Sequence, residues 1–382
     1  MENNNRFFLL DLSRAVAAIC VVLHHYQHFY FVAQHTYVEN FVRSQQPFFE
    51  LIEPAYKFGS VAVQFFFILS GFIFFMFYKK KIENKKINFN NFLILRLSRL
   101  YPLHILTLLA MLLFQKLYFS LNNEFFVYQA NDLKNFILHF FLIQEWGFEI
   151  AWAYNAPVWS ISVELFLYIS FFIFSLFYIK NLFQSFLSII IIFFLYCVIN
   201  SKIIGSTLGM GSLSLGLLLF YYGGFTYYLF LQIKDLLKSK YRNFLLIFLT
   251  ILNIIIFGRF LNNFFLELQV NLVNFTGDRL MLLLYFIKLP LIIINLSVLQ
   301  FYFKNMGKSL QIFGDISYTI YLVHVPIQLL FSIVDKNIVK INYDSNFIFI
   351  LFFLIIFIFS IMIYKFFEIP VKNKLRKKFI NF

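Results

Sequence analysis

Residues 11–25 read DLSRAVAAICVVLHH, an apolar stretch that carries ionisable side chains at both ends. Asp11 and Arg14 stand near its start, and His24 and His25 close it. An Asp or Arg at the middle of a bilayer costs roughly 2.5–3.5 kcal/mol on insertion scales, so such residues mark functional sites. Eleven helical steps of about 100° place Arg14 and His25 on one helix face, about 16 Å apart along the axis. The pattern predicts a functional face that runs from near one membrane surface past the membrane centre.

The remainder of the chain is also strongly apolar. Hydrophobic residues make up 61% of its 382 residues, and charged residues only 13%. Apolar runs of about 20 residues, long enough to cross a bilayer, recur from end to end. They lack the polar face that a soluble helix repeats every 3.6 residues. The composition therefore predicts an all-α polytopic integral membrane protein, with membrane lipid as its surroundings.

The net charge of +14 is concentrated in a few short segments. Lysines and arginines cluster in residues 79–86, 234–242 and 372–378. Basic loops of membrane proteins stay in the cytoplasm. Membrane topology thus explains the charge, and no nucleic-acid partner is needed.

Eleven apolar segments can be counted, and their number constrains the topology. They begin near residues 7, 58, 92, 133, 157, 183, 205, 242, 282, 311 and 346. If the first lysine loop and the C-terminus both lie inside, one segment cannot cross, and the weakest is 133–146, which contains His139, Gln144 and Glu145. We therefore expect about ten transmembrane helices plus one re-entrant or interfacial segment, with both termini cytoplasmic.

Two further clusters follow the first helix. Ser70-Gly71 stands inside an apolar run, where a small pair permits close approach of a neighbouring helix, and we interpret it as a packing site. Arg96 and Arg99 are one helical turn apart after the lysine loop. These arginines could reach lipid phosphates, or they could bind the phosphates of an anionic cofactor. The sequence does not decide between contact with lipid phosphates and binding of an anionic cofactor.

The second half of the chain contributes two more clusters. Glu164 is the sole acid in a long apolar helix that begins with Trp159 and Ser160, and a glutamate inside a bilayer needs a cationic partner or a proton. Tyr321 and His324 form a polar spot on a later helix, where a packing or supporting hydrogen-bond role is favoured over catalysis. Two histidines one turn apart could in principle bind a metal, but no carboxylate or cysteine accompanies them at ligand spacing, so we expect no metal.

In this order, the motifs resemble those of the acyltransferase-3 family of integral-membrane O-acyltransferases. The matching segments are Arg14-x10-His25, the Leu69-Ser70-Gly71 segment, Arg96-x-x-Arg99-Leu-Tyr-Pro, Trp159-Ser160-x-x-x-Glu164, Ser317-Tyr-x-x-Tyr321-Leu-x-His324-x-Pro and Phe367-Glu368-x-Pro. Isoleucine before Leu69 and leucine after Glu164 depart from the family pattern. The resemblance covers residues 7–371 and implies a single transmembrane acyltransferase domain over residues 1–382, with no appended soluble domain.

The resemblance also implies a reaction. An acetyl group would pass from cytoplasmic acetyl-CoA to a hydroxyl of a cell-surface carbohydrate or lipid-linked glycan, such as O-antigen of lipopolysaccharide, capsule or exopolysaccharide, at the bacterial inner membrane. His25 would act as general base or as a transient acyl carrier, and Glu164 would orient it or relay its proton. Arg14 would hold the thioester oxyanion or the pantetheine arm. Arg96 and Arg99 would bind the CoA phosphates.

The other motif residues would then contact the substrate. Trp159, Ser160, Tyr321 and His324 are the candidates for substrate binding. The main alternative function is a polytopic transporter or flippase that uses the embedded histidine, glutamate and arginine as a proton or substrate relay. Against it, the two halves of the sequence contain no inverted repeat and no paired interrupted helices.

Overall fold

A computed structural model of the chain describes residues 6–33, 36–38, 41–148, 151–177, 181–200, 210–236, 242–257 and 284–380. The α-helices are α1 (Phe8–His25), α2 (Phe49–Phe58), α3 (Val61–Phe77), α4 (Lys79–Glu83), α5 (Phe89–Asn122), α6 (Leu133–Phe141), α7 (Trp159–Phe177), α8 (Leu182–Ile199), α9 (Met210–Leu236), α10 (Arg242–Phe257), α11 (Leu289–Tyr302), α12 (Gln311–Asn337), α13 (Asn346–Ile363) and α14 (Ile369–Phe379). Short 3-10 or π-helical turns cover Tyr26–Tyr30, Arg43–Gln45, Gln144–Phe148, Ala156–Val158, Leu284–Lys288, Lys308–Leu310 and Tyr364–Glu368. Two short strands, β1 (Phe31–Ala33) and β2 (Thr36–Tyr37), pair antiparallel.

The helices have the length and composition of membrane spans. Eight of the described helices are long and apolar enough to cross a membrane, and the bent pair α2–α3 raises the number to nine. Helix α10 has 16 described residues, and residues 258–283 after it lie outside the description, as do the predicted segment starts near 205 and 282. The prediction of an all-α polytopic membrane protein is therefore confirmed, whereas the count of ten spans stays a prediction.

The weakest predicted segment folds as a short helix. The nine residues of α6 make a helix of about 14 Å, less than half the hydrocarbon thickness of about 30 Å. After α6, the side chains of Gln144 and Glu145 are buried, and the Glu145 N–H donates to Ser162 Oγ on α7 at 3.2 Å. The segment 133–146 thus buries one side of α6, with Leu138 and His139, exposes Leu133, Ile137 and Phe141 on the other, and contains a helix too short to span.

Side chains just outside the helices fix several helix starts. The Asn88, Asp132 and Asn181 side chains accept the backbone N–H three residues on, at 2.8 to 2.9 Å, and so cap α5, α6 and α8. Such caps satisfy backbone donors that a helix leaves unpaired at its start. The polar loop residues therefore determine where these apolar helices begin.

Glycines allow α3 and α9 to cross at backbone contact. A Cβ on Gly71 would lie 1.8 Å from the Phe220 carbonyl oxygen, and one on Gly223 would lie 2.0 Å from the Ile68 carbonyl oxygen. Only glycine permits such an approach, as in small-residue motifs of other membrane helices. The packing role predicted for the Ser70-Gly71 pair is confirmed for Gly71.

Helix α12 lies at the centre of the bundle. Of its most apolar window, 89% is buried inside the protein, against 6% for the peripheral helix α8. Helix α12 packs against α1, α5 and α13. Because Tyr321 and His324 lie on this helix, their side chains reach the interior of the protein.

Both described ends of the chain lie at the same end of the bundle. The Phe7 ring packs on Phe77 at the end of α3, with ring centroids 6.4 Å apart. Near the other terminus, Arg376 donates to Ser98 Oγ in the first turns of α5, at 3.1 Å. The lysine-rich segment 79–86 joins these two helices, so this is the basic end. That the basic end faces the cytoplasm stays a prediction from its charge.

Candidate active site

Charged side chains from three helices line one cavity. Arg14 of α1, Arg96 and Arg99 of α5, and Glu164 of α7 line a cavity of about 90 Å³, which we name the inner cavity. Its other polar lining residues are Ser70, Ser160, Tyr168, Ser317, Tyr318 and Tyr321. Residues that are widely separated in sequence therefore meet at one place.

Glu164 has two hydrogen-bond donors in this cavity. Its Oε1 accepts from Ser70 Oγ at 3.3 Å and from the Tyr168 hydroxyl. The carboxylate also interacts electrostatically with Arg14 and Arg99. Sequence reasoning missed Tyr168, although it stands one turn after Glu164 on the same helix, a spacing at which side chains meet.

The arginines of the inner cavity differ in their surroundings. The Arg96 guanidinium lies over the rings of Phe74 and Tyr78, at 5.0 and 4.3 Å from the ring centroids, and donates to the Tyr78 hydroxyl. Arg99 interacts electrostatically with Glu368 and Glu164. The buried Glu368 in turn accepts from the Thr319 hydroxyl at 2.8 Å.

The lining of the inner cavity is positive on balance. It includes three guanidinium groups and one carboxylate, that of Glu164. Cations withdrawn from water need a counter-charge or hydrogen-bond acceptors. The cavity therefore favours a ligand that brings negative charge or a polarised carbonyl oxygen.

A second cavity contains histidines and aromatic rings. It measures about 250 Å³, and we name it the outer cavity because it lies at the end of α1 opposite Arg6. Its lining includes His24, His25, Gln27, His28, Gln64, Tyr128, Trp152, Trp159 and Tyr321. The buried side-chain oxygen of Gln64 has no hydrogen-bond partner among the residues that the structure describes. The outer cavity thus combines aromatic faces with a spare acceptor.

His25 pairs with a second histidine from the central helix. Its Nδ1 lies 2.9 Å from Nε2 of His324, and the two rings are nearly parallel, at 6°. The Gln328 side-chain amide donates to the His25 carbonyl oxygen at 2.8 Å. Both contacts come from α12, which therefore fixes the end of α1 and the direction of the His25 ring. Over the described part of the chain, no three His, Cys, Asp or Glu side chains are grouped to hold a metal ion.

Tyr321 borders both cavities. Its hydroxyl donates to the Pro157 carbonyl oxygen at 2.6 Å and lies 2.8 Å from Ser160 Oγ. These hydrogen bonds tie α12 to the start of α7. The inner and outer cavities therefore meet at a boundary formed by Tyr321 and the first turn of α7.

The structure divides the predicted site residues between the two cavities. Arg14, Arg96, Arg99, Glu164 and Ser160 line the inner cavity, and His25 and Trp159 line the outer one. Tyr321 lines both, and His324 touches His25.

One expected interaction differs in the structure. We expected Glu164 to orient His25, but the His25 ring hydrogen-bonds to His324, while Glu164 hydrogen-bonds to Ser70 and Tyr168. Sequence reasoning could not foresee this, because 299 residues separate the two histidines.

The fold and the cavities define a class of protein: a polytopic membrane protein with two cavities between its helices that are lined by polar side chains. The sequence model of the acyltransferase-3 family, described as an acyltransferase domain, matches residues 8–365. The chain belongs to this family and is a membrane acyltransferase. A search of curated proteins finds no match, and a search of solved structures finds none either.

Proposed function

We propose that this acyltransferase moves an acetyl group from cytoplasmic acetyl-CoA to a hydroxyl of a cell-surface carbohydrate, such as O-antigen, capsule or exopolysaccharide, at a bacterial inner membrane. The observation that carries the proposal is the meeting of two chemically different cavities at Tyr321. One is rich in arginine and lies toward the basic end. The other is rich in histidine and aromatic rings and lies toward the opposite end. A donor and an acceptor can thus approach one boundary from two sides.

The inner cavity suits the reactive end of the donor. A thioester oxygen gains negative charge as the acceptor attacks, and preorganised donors around it lower the barrier. Along α1, Arg14 lies about 16 Å from His25. At that separation, Arg14 is better placed to hold the pantetheine arm than an oxyanion beside His25. The Ser160 hydroxyl lies at the boundary, 2.8 Å from the Tyr321 hydroxyl, and can turn from this contact to donate to that oxyanion, while the Tyr321 hydroxyl donates to Pro157.

The outer cavity suits a carbohydrate. The Trp152 and Trp159 rings meet edge to face, with centroids 6.2 Å apart, and offer apolar faces against which a sugar ring can pack. The unpartnered oxygen of Gln64 can accept a hydrogen bond from a sugar hydroxyl. Aromatic faces with a few convergent polar groups are typical of small-molecule sites.

His25 has the position and environment of a general base. We propose that the neutral His324 ring, which has the carbonyl oxygens of Ile320 and Tyr321 near it, carries its proton on Nδ1. The neutral His324 then offers the lone pair of Nε2 to a proton on His25 Nδ1. His25 Nε2 is left with a lone pair, as a base requires. In this proposal His324 has the orienting role that the sequence assigned to Glu164.

The transfer moves one proton through His25 and exchanges a carbon–sulfur bond for a carbon–oxygen bond. His25 Nε2 takes the proton of the acceptor hydroxyl, and the oxygen attacks the thioester carbonyl carbon. The tetrahedral intermediate collapses as its carbon–sulfur bond breaks. The CoA thiolate leaves and takes the proton from His25 Nε2, which returns the ring to its neutral form, and an acetyl ester remains on the carbohydrate. Glu164, near Arg14 and Arg99, keeps the inner cavity from excess positive charge.

The test is acetyl-CoA turnover by the purified full chain in lipid nanodiscs. Release of free CoA thiol is followed with and without a glycan fraction from the cell surface. We expect release that depends on the glycan and is lost in His25→Ala. A transporter would leave acetyl-CoA intact, so unchanged acetyl-CoA in the presence of glycans that accept acetyl in cells would contradict the proposal.

A further inference from the structure

A much larger concave space lies at the basic end of the bundle. This pocket measures about 820 Å³, and we name it the basic pocket. Four cationic side chains line it, from Arg6, Lys234, Lys304 and Lys308. None of the lining residues that the structure describes is acidic. The pocket therefore has the size of a ligand site and the charge of an anion site.

The loop that carries two of these lysines is fixed to α1. The Gln300 side-chain oxygen accepts the Leu9 N–H at 2.8 Å, and its amide donates to the Lys304 carbonyl oxygen at 2.7 Å. Gly307 has a φ of +81°, where glycine is favoured, and a Cβ there would lie 3.4 Å from Leu9. The backbone positions of Lys304 and Lys308 are thus set before any ligand arrives.

Arg6 is also held in place. It donates to Asp11 at 2.6 Å and to Asp315 at 2.5 Å, so its charge is compensated locally. Lys234 lies with its Nζ 5.2 Å from the centroid of the Phe301 ring. The surplus positive charge of the pocket therefore comes from lysines on α9 and on the loop after α11. Lysines whose only role is to set the membrane topology would lie in solvent, and they would have no need to line one pocket from separate elements.

The walls between these cations are aromatic. They include Phe7, Phe8, Phe77, Tyr227, Phe230 and Phe301. Flat aromatic faces beside cations can hold a nucleobase and its phosphates together, by stacking and by charge-assisted hydrogen bonds.

Size decides which part of the donor can bind where. The inner cavity of about 90 Å³ has room for a thioester but not for a phosphorylated adenosine, whereas the basic pocket is about 820 Å³. The two spaces follow each other along α3, because Ile73 lines the inner cavity and Met76 and Phe77 line the basic pocket. One helical turn, about 5.4 Å, separates these positions. An extended arm can bridge that distance.

We propose that the basic pocket binds the nucleotide end of the acyl donor, with the phosphates on Lys234, Lys304 and Lys308 and the adenine against the aromatic walls. The pantetheine arm then passes Phe77 toward the inner cavity. This inference rests on the proposed function. It relocates the phosphate contacts that the sequence assigned to Arg96 and Arg99, which face the small inner cavity.

The test measures binding of 3′-phosphoadenosine 5′-diphosphate, the nucleotide end of CoA, to the full chain in phosphatidylcholine nanodiscs. The test variant is the double substitution Lys304→Gln/Lys308→Gln. The control, Lys85→Gln/Lys86→Gln, removes the same charge from exposed lysines at the same end of the bundle. We expect the dissociation constant to rise at least about tenfold in the test variant, through two lost charge-assisted contacts, and to change little in the control.

Three outcomes would overturn the inference. The probe could fail to bind the unsubstituted chain, or it could bind both double variants equally. Alternatively, the test variant could bind the nucleotide normally but retain less phosphatidylglycerol in nanodiscs that contain this anionic lipid. The pocket would then be a site for a lipid headgroup. Acetyl-CoA turnover without nucleotide binding would contradict the proposed nucleotide site and leave the proposed function standing. Nucleotide binding without acetyl-CoA turnover would support the proposed nucleotide site and contradict the proposed function.

Discussion

Nδ1 of His25 lies 2.9 Å from Nε2 of His324, which makes the central helix α12 a direct partner of the family's first-helix histidine. His324 is completely buried, at 0% exposure, while His25 is half-buried and lines the outer cavity. A neutral histidine that accepts at one nitrogen fixes the tautomer of its partner. The pair therefore determines which nitrogen of His25 can act as a base.

Removing the His324 ring is expected to slow transfer without preventing folding. His324→Ala should lower kcat by about 10- to 100-fold, since His25 keeps its ring but loses the partner that fixes its tautomer. His324→Gln should recover part of the loss, because its side-chain oxygen can accept from His25 Nδ1. The measurement is the pH profile of kcat/KM for both variants. A purely structural role would lower the amount of folded protein and leave the profile of the remainder unchanged.

Glu164 is expected to stabilise the protein by compensating the half-buried arginines Arg14 and Arg99. Glu164→Gln keeps the shape but leaves Arg14 and Arg99 with less counter-charge, so it should cost about 1–3 kcal/mol. The control is Glu53→Gln, which breaks an exposed pair with Lys57 and should cost under about 1 kcal/mol. Thermal unfolding in detergent measures both. Equal melting temperatures for the two variants would mean that Glu164 does not have this role.

The crossing of α3 and α9 is expected to tolerate no side chain at Gly71. In Gly71→Ala the new Cβ would lie 1.8 Å from the Phe220 carbonyl oxygen, so the helices must separate. We expect a loss of at least about 3 kcal/mol in stability or a failure to accumulate in membranes. The control is Gly211→Ala, whose Cβ would meet the Asn200 side-chain oxygen at 3.1 Å and no other atom of the described residues. If Gly71→Ala melts at the temperature of the control, the described helix contact is wrong.

Trp159 is expected to contribute to acceptor affinity. Trp159→Ala should raise the acceptor KM by about tenfold, and Trp159→Phe by less, because the smaller ring keeps part of the apolar face. The KM for acetyl-CoA should stay unchanged, since Trp159 lines the outer cavity. The control is Trp146→Phe, because the Trp146 ring packs on Phe166 and lines neither described cavity. A rise in the acetyl-CoA KM instead would place Trp159 on the donor side.

Much of the fold can be predicted from sequence because the bilayer imposes simple rules. Within a bilayer, a helix pairs its own backbone N–H and C=O groups and needs about 20 apolar residues to cross, so the spans can be identified from hydropathy. The crossing at Gly71 was also predictable, since a small pair inside a span permits close packing. The bend of 62° between α2 and α3 was not predicted. At the bend, a Cβ on Gly59 would lie 2.2 Å from the Cys20 carbonyl oxygen of α1, a contact between helices that spacing along the chain does not reveal.

The candidate site was predicted only in part. Rare charges in an apolar chain identified Arg14 and Glu164, since burial makes such residues costly. Their partners could not be read from spacing, because the His25–His324 contact joins distant helices. The basic pocket could not be predicted for a related reason. Lys304 and Lys308 resemble ordinary loop lysines in the sequence, and only the fold brings them to the same pocket as Lys234.

The most direct test of the proposed function compares surface glycans by mass spectrometry. Cells that lack this protein are complemented with the unsubstituted chain or with His25→Ala at equal membrane abundance. We predict an alkali-labile acetyl ester on a surface glycan with the unsubstituted chain and its absence with His25→Ala. The same ester at the same level with His25→Ala would contradict the assignment of His25 as the general base at the meeting point of the two cavities.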